Sequence, residues 1–212
     1  MLIMVPFQNT GDESAARAKF ADFFALEPVL DTTRIHPYEQ QNAVLVPIVP
    51  HGPRTYLKGI GYRTLSIPLL EYALEQFTSY VSHVGDDYFT SSILFEAYPS
   101  DKLTSVPFDD TAFANRGTHF NCFVVTRWQS EKNDEFVKQW VKDFVAGARA
   151  IDEKVSVTMG KSSVGRKGYA NTNLPDEKCE EAFQGNLPKL EKVKRKWDPK
   201  GRFNKWFPIA SA

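Results

Sequence analysis

The sequence predicts an α+β fold: one antiparallel sheet of about five to seven strands, helices packed on one face, and a helical C-terminal tail. Three observations carry this expectation. Apolar runs alternate with polar residues instead of running continuously, which suits a sheet buried on one side only. Two long stretches repeat their apolar residues at helical spacing between those runs. A Gly/Ser/Lys-rich stretch, 154–168, then sets the last part of the chain apart.

In order, Leu2–Phe7 reads as a short buried strand, and Asp12–Phe24 as a helix with Ala16, Phe20, Phe23 and Phe24 on one stripe. Glu27–Pro53 is long and punctuated by prolines, the signature of a binding loop or lid. Within it Ala43–Val49 is expected as an edge strand, because Pro47 is excluded from a sheet centre. Thr55–Leu65 alternates as a strand. Ser66 caps the next helix and Pro68 fits its first turn.

That helix, Ile67–Val84, is assigned an inner stripe of Leu70, Ala73, Leu74, Phe77, Tyr80, Val81 and Val84, and Gly85 ends it. Ser91–Tyr98 is the following strand. After a polar loop, 99–117, Thr118–Trp128 is the best-patterned strand of the chain. Residues 131–148 form an amphipathic helix. The domain expectation is therefore an α+β domain over 1–153 and a tail over 154–212.

Composition narrows function. Twenty-six basic residues balance 26 acidic ones, so no overall field draws nucleic acid or an anionic membrane. Eight basic residues lie in 189–205 between Trp197, Phe203 and Trp206. Leu187, Leu190, Val193 and Trp197 make this an amphipathic helix whose lysines face water. No apolar run reaches the length of a membrane span, and the opening residues do not form a secretory signal. Two cysteines, Cys122 and Cys179, make no disulfide framework. These features place the protein in the cytoplasm, without nucleic-acid or membrane partners. The four histidines are scattered and there is no Cys-x-x-Cys, so no metal is expected.

The strand 118–128 is the place to look for chemistry. His119, Asn121 and Phe123 share one face, and the more apolar Phe120, Cys122 and Val124 take the other, toward the helices. Glu96 and Tyr98 on one neighbouring strand, and Tyr56 and Lys58 on another, are expected to converge on the first face. His119, Glu96, Asn121 and Lys58 are the candidate catalytic groups, with Tyr56, Tyr98 and Phe123 lining the substrate.

Three segments carry a resemblance to the berberine-bridge-type FAD-linked oxidases. Leu26–Gln41 (LEPVLDTTRIHPYEQQ) is similar to the start of that family's substrate-binding domain. Thr111–Trp128 (TAFANRGTHFNCFVVTRW) is similar to its loop and central strand, and Phe183–Phe207 to its C-terminal signature. The resemblance implies a pocket for medium-sized metabolites, closed by the tail. It adds Tyr169, Asn171 and Thr172 to the substrate-binding candidates, since Tyr169-Ala170-Asn171-Thr172 resembles the family's Tyr-x-Asn-Tyr. Thr172 stands where the family often has a basic tyrosine, and Asn121 where some members have a glutamate.

The flavin-binding half of the family has no counterpart in these 212 residues, and no cofactor is expected. The first functional expectation is a flavin-independent cyclase, isomerase or pericyclase, Diels–Alder-type cyclases included, acting by conformer selection and hydrogen-bond or general-acid activation. Orientation alone supplies roughly up to 7–11 kcal/mol in ideal cases. The alternative is a substrate-binding fragment or subunit of an FAD-dependent oxidoreductase. The expected partners are a small-molecule substrate and a second copy in a homodimer, or a separate flavin domain under the alternative.

Overall fold

Helix and strand patterning resolves, in the computed structural model, into two compact units, Met1–Pro50 and His51–Ala212. The structure describes residues 3–7, 11–43, 46, 52–117, 119–161, 171 and 178–210.

In the first unit, Asp12 caps helix α1 (Glu13–Lys19) by accepting from the amides of Ser14 and Ala15. A break at Phe20 separates it from α2 (Ala21–Phe24), so the single helix expected over 12–24 is two short ones. Arg17 ties this region together through Glu13 at 2.9 Å and Asp31 at 2.8 Å. Residues 3–7 are exposed and form no strand, contrary to expectation. Most of the edge strand expected at 43–49 lies outside the described residues, and Tyr38–Ala43 is a 3-10 helix.

The second unit is a three-stranded antiparallel sheet in the order β1–β3–β2, with β1 Arg54–Tyr62, β2 Tyr88–Glu96 and β3 Phe120–Trp128. Three strands among the described residues correct the expected five to seven. Helices α3 (Ile67–Val84) and α5 (Asp134–Thr158) cover one face. Between β2 and β3 lies a short helix, α4 (Asp101–Ser105), in a stretch expected to be loop. The joint expected at 154 falls inside α5, which continues to Thr158.

Ser66 caps α3 and Pro68 sits in its first turn, as its residues dictate. Its buried stripe is Leu69, Ala73, Tyr80 and Val84, while Leu70 and Leu74 are exposed, a rotation from the expected face. The core joins this stripe to Ile60, Tyr62, Cys122 and Val124 of the sheet and to Trp140, Val141 and Phe144 of α5. Tyr80 meets Trp140 at 4.7 Å between ring centres, and Trp140 stacks on Phe144.

A break in register between Phe89 and Ser92 leaves the β3 edge needing an acceptor. The Ser91 hydroxyl supplies it: the Arg127 amide donates to Ser91 Oγ at 2.8 Å. Carboxylates fasten α5 to β1 at both ends. Asp134 accepts from Arg54 and from Trp128 Nε1, and Asp152 accepts from the Arg63 amide at 2.7 Å.

The tail comprises α6 (Cys179–Phe183), a 3-10 turn over Gln184–Asn186, and α7 (Leu187–Trp197). Its turn after α7 is built on Asp198, which accepts from the amides of Arg202 and Phe203 and pairs with Lys194. Leu187 and Leu190 are half-buried, but Val193 and Trp197 are exposed, so the apolar stripe of α7 is covered only in its first half. No described helix is long and apolar enough to cross a membrane.

Candidate functional site

The face of the sheet turned away from α3 and α5 is set by parity. On β3 the large apolar Phe120, Cys122 and Val124 go toward the helices, which sends Asn121, Phe123 and Val125 to the opposite side. Register then decides what surrounds them. Asn121 lies between Gly61 of β1 and Glu96 of β2, and Phe123 lies between Gly59 and Leu94. No side chain rises from β1 at either glycine, so this face is low on the β1 side and walled on the β2 side.

Asn121 and Tyr98 meet. Asn121 Nδ2 donates to Tyr98 Oη at 3.0 Å, which leaves the phenol's own O–H to donate elsewhere. Burial pushes the Tyr98 phenol above its ordinary pKa, and the neighbouring Glu96 carboxylate pushes in the same direction. Tyr98 is thereby a neutral donor across the whole physiological range and a poor base. Its ring sits edge-on to Phe120 at 5.9 Å. Glu96 is exposed, and its backbone carbonyl accepts from Tyr62 Oη at 3.1 Å. His119 is buried immediately before β3.

Tyr56 and Lys58 do not join this group. They pair with Thr126 and Val124 and share the parity of Ile60 and Tyr62, so they belong to the helix-covered face. Burying Ile60 and Tyr62 fixes that choice, because a strand cannot turn two of its even positions inward and two outward without a bulge. Asn171 is exposed in a turn, and Tyr169 and Thr172 lie outside the described residues. Burial drives the Cys122 thiol well above its ordinary pKa, so it is no nucleophile. Among the described residues no three His, Cys, Asp or Glu side chains group as a metal site.

Two features of the site were missed in the sequence. Gly59 and Gly61 show as Gly-x-Gly inside an alternating strand, a signal that the backbone there is approached closely. Arg116 lies in the loop before β3, where its guanidinium is held by Thr111 Oγ1 at 3.0 Å and lies over the Phe113 ring. It lies among several other charged residues of a polar loop, so nothing in the sequence singled it out.

Comparison with known proteins bears on this geometry. Residues 168–208 match the family described as Berberine and berberine like. FAD-linked oxidoreductase pgmH of Aspergillus terreus is 29% identical over 221 residues, taking in 95% of this chain and 43% of that protein. Among solved structures, Physcomitrella patens BBE-like 1 shares the fold with a TM-score of 0.64 at 16% identity, covering 94% of this chain and 43% of that one. A glycopeptide hexose oxidase complexed with teicoplanin gives 0.58 at 23% identity, over 75% and 32%. The chain resembles berberine-bridge-type FAD-linked oxidases over nearly its whole length, and it spans less than half the length of these relatives.

Proposed function

We propose that this chain, related along 95% of its length to an FAD-linked oxidoreductase, is the substrate-side part of such an enzyme and works with a flavin-binding part. That unbroken similarity is the observation that carries the reading. The low face over Gly59 and Gly61, with Asn121, Tyr98 and Phe123 beside it, suits a flat ring system lying against the sheet. A bound flavin supplies the hydride acceptor for the oxidation.

The chain's own residues do the positioning. Phe123 and Leu94 exclude water from one side of a ring, while Tyr98, steadied by Asn121, donates a hydrogen bond to a substrate oxygen. Glu96, opposite Asn121 and open to solvent, adds a carboxylate to this face. The substrate class is a bulky natural product, in keeping with the relative crystallised with teicoplanin.

The test is to isolate the protein from its source cells under native conditions. The expected result is flavin absorbance in the isolated assembly, bleached by substrate and restored by oxygen. An assembly without flavin that still converts its substrate overturns the reading.

The neutral Asn121–Tyr98 pair favours a second reading, a flavin-independent cyclase or isomerase in which that pair polarises the substrate and no proton is abstracted. A product of the same mass as the substrate, formed by the recombinant chain without flavin, would select it.

A further inference from the structure

Three strand ends meet at one end of the sheet: Tyr62 closes β1, Glu96 closes β2, and Phe120 opens β3. The Tyr98–Asn121 pair lies at that same end, since Asn121 is opposite Glu96 and Tyr98 follows Glu96 by two residues. We propose that Tyr62, packed on the helix-covered face, is the positioning residue for this pair, holding Tyr98 where Asn121 can donate to it.

The contacts close into a ring. The Tyr62 hydroxyl donates to the Glu96 carbonyl at 3.1 Å, passing across β3 to reach β2. Glu96 pairs with Asn121, and Asn121 Nδ2 donates to Tyr98 Oη at 3.0 Å. The Tyr98 ring meets Phe120 edge-on at 5.9 Å, and Phe120 returns to the Tyr62 ring at 5.7 Å. Phe95 sets the Tyr62 ring from β2 at 5.6 Å, also edge-on. Tyr62 is fully buried, so its ring and hydroxyl are fixed together.

The need for such a tie follows from topology. Among the described residues β2 stands at the edge of the sheet, and strand pairing holds its last residue from the β3 side alone. A strand end of that kind frays unless something else secures it. Tyr98 lies beyond the last paired residue, so fraying there carries the phenol away from Asn121. The Tyr62 hydroxyl secures the Glu96 backbone, and the Phe120 ring limits the Tyr98 side chain. Phenylalanine at 62 would keep the ring contacts and lose the tie.

What Tyr98 does for a substrate rests on the proposed function, but where it is held does not, and the test reads position alone. Hydrogen exchange of the Asn121 side-chain amide is followed by NMR in the 212-residue chain without flavin. Tyr62→Phe should speed that exchange at least about five-fold, the worth of one ordinary hydrogen bond. Phe120→Leu, which cuts the other limb of the ring, should speed it as well. Tyr80→Phe is the control, because it removes an equally buried hydroxyl that donates to the Arg127 carbonyl at the far end of β3. It should lower the melting temperature and leave Asn121 exchange unchanged. Unchanged exchange in Tyr62→Phe, or equal acceleration in all three variants, overturns the proposal. Should Tyr62→Phe not fold, the unaltered chain decides. Its Tyr62 hydroxyl proton and Asn121 amide should then share one opening free energy, and an Asn121 amide protected ten-fold less than the hydroxyl, roughly, overturns the proposal.

Discussion

Asp198 shows how much one side chain decides in the tail. Three donors converge on its carboxylate: Lys194 Nζ and the amides of Arg202 and Phe203. The Lys194 hydrogen bond above all, then the Phe203 amide, pulls its pKa down to about 2. A folded pKa below the unfolded one means that the group stabilises the turn fully above the ordinary aspartate value of about 4. The contribution disappears as pH falls through about 2. The Phe203 amide resonance should therefore titrate near pH 2, and in Asp198→Asn that transition should be absent. A midpoint near pH 4 would show that the carboxylate is not engaged. Parity was the residue-scale feature most legible in the sequence: the split of Asn121 and Phe123 from Cys122 and Val124 is observed. Tyr56 and Lys58 fall on the opposite face from the one expected, because β1 buries the set of alternate residues that contains Ile60 and Tyr62.

At the scale of elements, α3 and the strand boundaries were legible because caps, breakers and alternation agree there. The inner stripe of α3 was not, since Leu69 and Leu70 are equally apolar and the packing against the sheet and α5 chooses between them. The same helix pair meets closely at Gly147 of α5, where a Cβ would lie 2.2 Å from Tyr72 Oη and 2.6 Å from Cζ. Alanine is the better helix former by about 1 kcal/mol, yet here overpacking costs about 1–3 kcal/mol. The Tyr72 ring is stacked on Phe144 and cannot simply swing away. Gly147→Ala should lower the melting temperature, and Tyr72→Leu in the same background should recover part of the loss. A rise in melting temperature for Gly147→Ala alone would show that the ring yields. In the tail, Asn186→Ala removes two donors from the carbonyls of Phe108 and Thr111, a cost of about 1–3 kcal/mol. Hydrogen exchange should speed up selectively over residues 108–117, and unchanged exchange there would refute the bracing.

For the whole molecule, the exposed apolar residues set the expectation. Val193, Trp197, Phe203 and Trp206 of the tail are half or more open to solvent, or nearly so. Where such residues form a contiguous patch, they mark an interaction surface. The 212-residue chain alone should bind a hydrophobic dye strongly, and the native assembly should bind much less. Equal dye binding by both would mean that the tail face stays uncovered. The family was readable in three quoted segments because they hold unusual combinations of aromatic, amide and proline residues. Strand number was not readable, because an apolar run such as Leu2–Phe7 has the same composition whether or not a partner strand is present to receive it.

The two carboxylate fastenings of α5 act as a gauge. Asp134 meets the first residue of β1, Arg54, and Asp152 meets the residue after its end, Arg63. Nine residue steps of an extended strand cover about 30 Å, and eighteen steps of helix about 27 Å. Helix and strand are therefore cut to one length, and both pegs fit only at that length. Adding one residue to α5 between the pegs would turn the second by about 100°, pointing Asp152 away from the Arg63 amide. Length variation among relatives of this chain should then collect in the loops around the sheet and spare the span from 134 to 152.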